Sequence, residues 1–238
     1  MPLPDKNAPK SEHQKYYDDV DLNIIHADST AAGQALLRAM FAKFGVGAFN
    51  QTDILDARFG AGHEWSGGVC VGLSLVWIKK YKANKSEART GAGGSMTKQE
   101  VVNDAVNLHA FYETERAGDK VPANATTFQK NVVGVTEAAD FAGVRLDGDM
   151  VQDKLDSIPG RVSKSGKFSL VMLANGLGLG HATAAYCSSG NNLHFFDPNL
   201  AEFKIGTGDL KRFLEVLLAM YRLRKMEFTM LYFVHITP

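Results

Sequence analysis

Between Val69 and Lys82 the chain reads VCVGLSLVWIKKYK, a run that is apolar on nearly every side at helical spacing. A helix without a polar face has no place on a protein surface, so this one has to be enclosed within a domain. It also opens on a cysteine. Gly67 and Gly68 let the backbone turn tightly just before Cys70. The thiol is thereby expected at the start of the buried helix, where the first amides and the helix dipole favour a thiolate. The bland alternative is a small buried hydrophobe, the usual state of a free cysteine. Only two cysteines are present, Cys70 and Cys187, too few for a disulfide framework or a cysteine-rich zinc site.

The remaining chain has to supply the cover. DSTAAGQALLRAMFAKFG predicts a helix capped by Asp28 or Ser29 and stopped at Gly45. TKQEVVNDAVNLHAFYETE predicts another, with Thr97 and Glu100 at capping-box spacing. TTFQKNVVGVTEAADFAG predicts a third, weakened by Gly134. Near residue 166 the pattern changes. KFSLVMLA, HATAAYCS, NLHFFDPN and EFKIG are short β-type segments separated by turn residues. A helix, LKRFLEVLLAMYRLRK, precedes a last strand, FTMLYFVHI. Helices followed by an antiparallel sheet define an α+β order. Residues 1–20 read as a disordered arm. Residues 21–238 read as a single domain, with a helical lobe over about 28–165 and a sheet lobe over about 166–238.

Two further residues stand out on the strands. His181 follows the glycine-rich NGLGLG and begins a strand of small residues, while Asp197 ends an apolar strand just before Pro198. Alone, the first reads as a strand-edge histidine satisfied by a carbonyl, and the second as a turn residue. They are 16 residues apart, however, and a hairpin of that size brings them side by side. With Cys70 they complete a nucleophile, base and orienting acid. Cys70 attacks an acyl carbon, His181 takes the thiol proton and returns it to the leaving amine, and Asp197 holds the imidazole.

At GGVCVGLSLVWI, GHATAAY and FFDPN the sequence resembles the YopT-type cysteine proteases, a papain-like family of bacterial effectors. The order Cys, His, Asp matches. So does the pattern completed by Leu73, Ser74 and Trp77, and a long helical insertion separates Cys70 from His181. The resemblance spans roughly residues 60–238. It implies a papain-like fold, with the helical part packed on a C-terminal antiparallel sheet. It implies a thiol endopeptidase working through an acyl-enzyme thioester on a protein substrate, a host signalling protein, after delivery into a host cell. One departure concerns the oxyanion hole, for which papain-like enzymes add an upstream side-chain donor to the cysteine's own N–H. Here HEWSGGV holds neither Asn nor Gln. His63, Trp65 and Ser66 could donate, Glu64 could not when ionised, and Asn50 and Gln51 lie further back.

Several function classes fall away. Lys plus Arg and Asp plus Glu both number 26, so nothing draws the whole molecule to nucleic acid. The polar N-terminus has no signal-peptide h-region, and no apolar run reaches membrane-span length. That leaves export without a signal peptide, or the cytoplasm. Histidines 13, 26, 63, 109, 181, 194 and 235 form no metal-ligand spacing, and GLGLG lacks the Lys-Ser/Thr of a phosphate loop, so no metal or cofactor is expected. His194 is out of phase with Asp197, and Cys187 reads as packing. The basic YRLRKM reads as a solvated helix end. Two alternatives use the same residues differently. One is a glutamine deamidase, transglutaminase or acyltransferase with the same triad; the other is an inactive papain-like domain that only binds a partner.

Overall fold

The computed structural model describes residues 3–22, 30–64, 68–91, 93–175 and 180–237. Its elements run α1 (Lys10–Asp19), α2 (Thr30–Phe44), β1 (Gly45–Ala48), α3 (Gln51–Phe59), α4 (Cys70–Ala83), α5 (Gln99–Glu115) and α6 (Thr127–Ala142). They continue as β2 (Arg145–Asp153), α7 (Ile158–Val162), β3 (Phe168–Ala174), β4 (Gly180–Cys187), β5 (Asn192–Asp197), β6 (Ala201–Gly206), α8 (Leu210–Leu223) and β7 (Met230–Thr237). The sheet order is β1-β6-β5-β4-β3-β7-β2, and every pairing is antiparallel.

The sheet is covered on both faces. Along β3, Leu170 and Met172 join a core with α4, α5 and α6, whereas Val171 and Leu173 join a second core with α1, α2 and α8. That double burial is why β3 reads as a continuous apolar run rather than an alternating one. Helix α4 is enclosed as its sequence requires. Trp77 is fully buried and stacks on Phe196 with centroids 5.7 Å apart. Gly72 lets α5 pass close: a Cβ there would lie 1.9 Å from the Ala105 carbonyl oxygen.

Several expectations change. The stretch read as a disordered arm contains α1, whose Tyr16 and Tyr17 are buried; Tyr17 packs edge-on against Phe44 at 5.3 Å. Two aromatic anchors outweigh a polar composition there. The sheet also recruits strands from the helical half: β1 pairs with β6, and β2 pairs with β7. Strand β2 is largely exposed and polar, so it carries no alternation to read. The Thr97–Glu100 capping box does not form, because Thr97 sits in a 3-10 turn and its hydroxyl donates to the Gly94 carbonyl at 2.8 Å. The capping box is found instead at Thr126 and Gln129, at the start of α6. The Asp28 and Ser29 cap lies outside the described residues.

Candidate active site

Cys70 is the first residue of α4. Gly68, two residues earlier, has φ +92°, and a Cβ there would meet the Gln51 side chain at 2.8 Å, so the turn needs glycine on both counts. The adjoining Gly67 and most of the NGLGLG turn, residues 176–179, lie outside the described residues.

His181 and Asp197 arrive by strand register. The β4–β5 ladder pairs Ala184 with Phe196 and Cys187 with Leu193. Continued, this register sets residue 181 opposite 199 and diagonal to 197 on one face, within reach of long side chains. His181 Nε2 lies 2.9 Å from Asp197 Oδ1. Both residues are buried. A buried carboxylate needs donors, and Asp197 has them: besides the imidazole, it accepts the Asn199 backbone N–H at 2.9 Å and the Tyr221 hydroxyl at 2.9 and 2.8 Å. Burial and the adjacent Asp197 hold Tyr221 protonated well above the usual phenol range, so it remains a donor.

Burial disfavours a charged His181, but the Asp197 charge and hydrogen bond outweigh it, and the Cys70 side chain pushes the same way. The imidazole is pushed up to about 10. With Nε2 given to Asp197, Nδ1 is the nitrogen left for the thiol. Cys70 and His181 line one cavity of about 180 Å³.

A second chain of hydrogen bonds ties the cysteine turn to the histidine. The Val69 N–H donates to Gln51 Oε1 at 2.8 Å, Gln51 Nε2 donates to Asn199 Oδ1 at 2.5 Å, and Asn199 Nδ2 lies 3.3 Å from His181 Nδ1. The Gln51 backbone N–H also donates to the Pro198 carbonyl at 2.7 Å. Of the upstream donor candidates, Gln51 is thus the one brought beside the cysteine turn. His63 sits 3.3 Å from Asp56, and residues 65–67 are not described. Asn50 caps α3 through the Thr52 N–H. Asn199, Tyr221 and the tether role of Gln51 escaped the sequence. Only the turn chemistry of DPN hinted at the first, and Tyr221 is hidden in the apolar stripe of α8.

The other candidates fall elsewhere. His194 is 3.8 Å from Glu202 and packs on Tyr81, away from Asp197. Cys187 is buried, its thiol donating to the Ser163 carbonyl at 3.3 Å, and burial pushes it up. No metal-holding cluster occurs among the described residues. None of the described helices is long and apolar enough to cross a membrane.

A layered α+β fold, with a thiol opening its buried helix beside an imidazole and a carboxylate on adjoining strand ends, is the layout of the papain-like cysteine proteases. The chain belongs to the Peptidase_C58 family, Yersinia/Haemophilus virulence surface antigen, whose family model matches residues 38–235. Its fold is similar to that of the Pseudomonas avirulence protein AvrPphB. The match covers 83% of this chain and 100% of that one, with 18% identity and a TM-score of 0.65. No curated protein sequence matches significantly. The YopT-type resemblance read from the motifs is borne out, and the chain is a cysteine protease with a protein substrate.

Proposed function

We propose that Cys70, His181 and Asp197 form the catalytic triad of a YopT-type endopeptidase. The observation that carries this reading is the 2.9 Å contact between His181 Nε2 and Asp197 Oδ1, which commits that nitrogen, so the thiol proton is taken at Nδ1, a position it shares with Asn199 Nδ2 at 3.3 Å. The proton of Cys70 moves to Nδ1, and the thiolate attacks the scissile carbonyl. The Cys70 N–H, one of the first amides of α4 and so without a partner inside the helix, stabilises the oxyanion. As the C–N bond breaks, Nδ1–H protonates the departing amine. Water, deprotonated by His181, then hydrolyses the thioester. Asp197 keeps the proton on Nε2 and supports the imidazolium throughout.

The substrate is proposed to be a host signalling protein, met after delivery into a host cell. Family membership and its virulence description support that setting. Purified protein and its Cys70→Ala variant, each mixed with host-cell extract, should differ by new protein N-termini appearing only with the unaltered chain. Identical N-terminal profiles in the two samples would contradict the proposed role of Cys70.

A further inference from the structure

The cavity that Cys70 and His181 line has a second end, built by the insertion helices. Tyr112 and Glu113 of α5, Arg116 just past its end, and Asn131 of α6 line it. The hydrogen-bond polarity there is fixed by Arg116, which can only donate. Its Nη1 donates to the Tyr112 hydroxyl at 3.3 Å and to Glu113 Oε1 at 3.2 Å. Tyr112 in turn donates its own proton to Asn131 Oδ1 at 2.7 Å. Asn131 must therefore present Nδ2, which has no protein partner among the described residues and is on a residue that lines the cavity. The Nε and Nη2 hydrogens of Arg116 are likewise unpartnered among the described residues. They form the edge of the guanidinium that grips carboxylates in two parallel hydrogen bonds.

Charge points the same way. His109, also on this wall, is pushed down to about 4 by burial and by the Arg116 charge, so it stays neutral at physiological pH. Among the described residues that line this end of the cavity, Arg116 is then the cation. Its contact with Glu113 is an exposed pair three residues apart on one helix, which holds the guanidinium weakly and occupies Nη1 alone.

We propose that this end of the cleft is a substrate subsite for an acidic side chain, Asp or Glu, near the scissile bond. Arg116 binds the carboxylate and Asn131 Nδ2 adds a donor. The inference rests on the protease reading above and names the substrate class its cleft selects.

The test uses the full chain and a set of peptidyl acyloxymethyl ketones, which alkylate an active-site cysteine. Asp or Glu is placed at each of the four positions preceding the ketone in turn, against the isosteric Asn or Gln. Modification of Cys70 and Cys187 is followed by mass spectrometry. At one position the acidic probe should label Cys70 about tenfold faster than its amide counterpart, the scale of a charge-assisted hydrogen bond. That ratio should fall to about one in Arg116→Gln and to an intermediate value in Arg116→Lys. A ratio near one at every position in the unaltered chain, or a preference that survives Arg116→Gln, overturns the subsite. If instead no probe labels Cys70 faster than Cys187, the protease reading itself fails and the subsite with it.

Discussion

The two ends of the cleft are built on opposite plans. Around His181 and Asp197 the polar groups are closed on one another. Asp197 accepts three donors, Tyr221 spends its hydroxyl proton there, and Gln51 and Asn199 bridge the cysteine turn to the imidazole. On the insertion's side of the cavity, Arg116 just past α5 and Asn131 on α6 keep donors in hand. A closed network in a low-dielectric site holds its members in one geometry, as bond-making requires. An open set of donors waits for a ligand that completes it. The difference teaches where to look for each role: chemistry where polar atoms are satisfied, selection where they are not.

The largest expected effect breaks the closed end outright. Cys70→Ala, His181→Ala and Asp197→Ala should each lower kcat by at least about a thousandfold in a cleavage assay. Cys70→Ala should retain the melting temperature. Full activity in Cys70→Ala would end the triad proposal.

Next comes Tyr221→Phe, which removes a buried donor from Asp197. Stability should fall by about 1–3 kcal/mol in urea titration, with a loss of kcat as the carboxylate loosens. Gln51→Ala should reduce kcat about tenfold while leaving KM nearly unchanged, because it cuts the tether without touching the cavity. An equal change in KM would move Gln51 to the binding side of the comparison.

Titration sharpens the contrast further. His181 is raised in the folded chain above its unfolded value near 6.5. Its contribution is therefore fully present below pH 6.5 and disappears as pH rises through about 10. The stability gap between the unaltered chain and Asp197→Asn should narrow over that window in urea titrations repeated across pH. His109 behaves oppositely. Its folded value, about 4, lies below the unfolded one, so its neutral burial costs stability as pH falls from 6.5 to 4. His109→Gln should gain on the unaltered chain at pH 4–5 and show little difference at pH 8, the smallest effect of the series.

How far the sequence carried depends on the kind of signal. The buried helix was legible because apolar residues on all sides admit one location. The His181–Asp197 proximity followed from strand spacing and a two-residue period. Helix α1 was missed because its hydrophobic signal is concentrated in Tyr16 and Tyr17, with Val20 just past its end, all buried by tertiary contacts the local pattern does not encode. Strands β1 and β2 were missed because one is four residues long and the other is mostly solvated. The supporting cast of the site was least legible. Gln51 lies 148 residues from Asn199 in sequence, and Tyr221 occupies a helix position that packing alone would explain.

The most direct test of the central claim is the alkylation of both thiols by iodoacetamide from pH 5 to 9, followed by mass spectrometry on the folded chain. An imidazole that draws the proton from Cys70 predicts rapid labelling of Cys70 below pH 7, loss of that reactivity in His181→Ala, and no labelling of buried Cys187 in the same interval. A Cys70 that is inert, or that reacts only above about pH 8 like an ordinary thiol, would contradict the proposed pair of nucleophile and base.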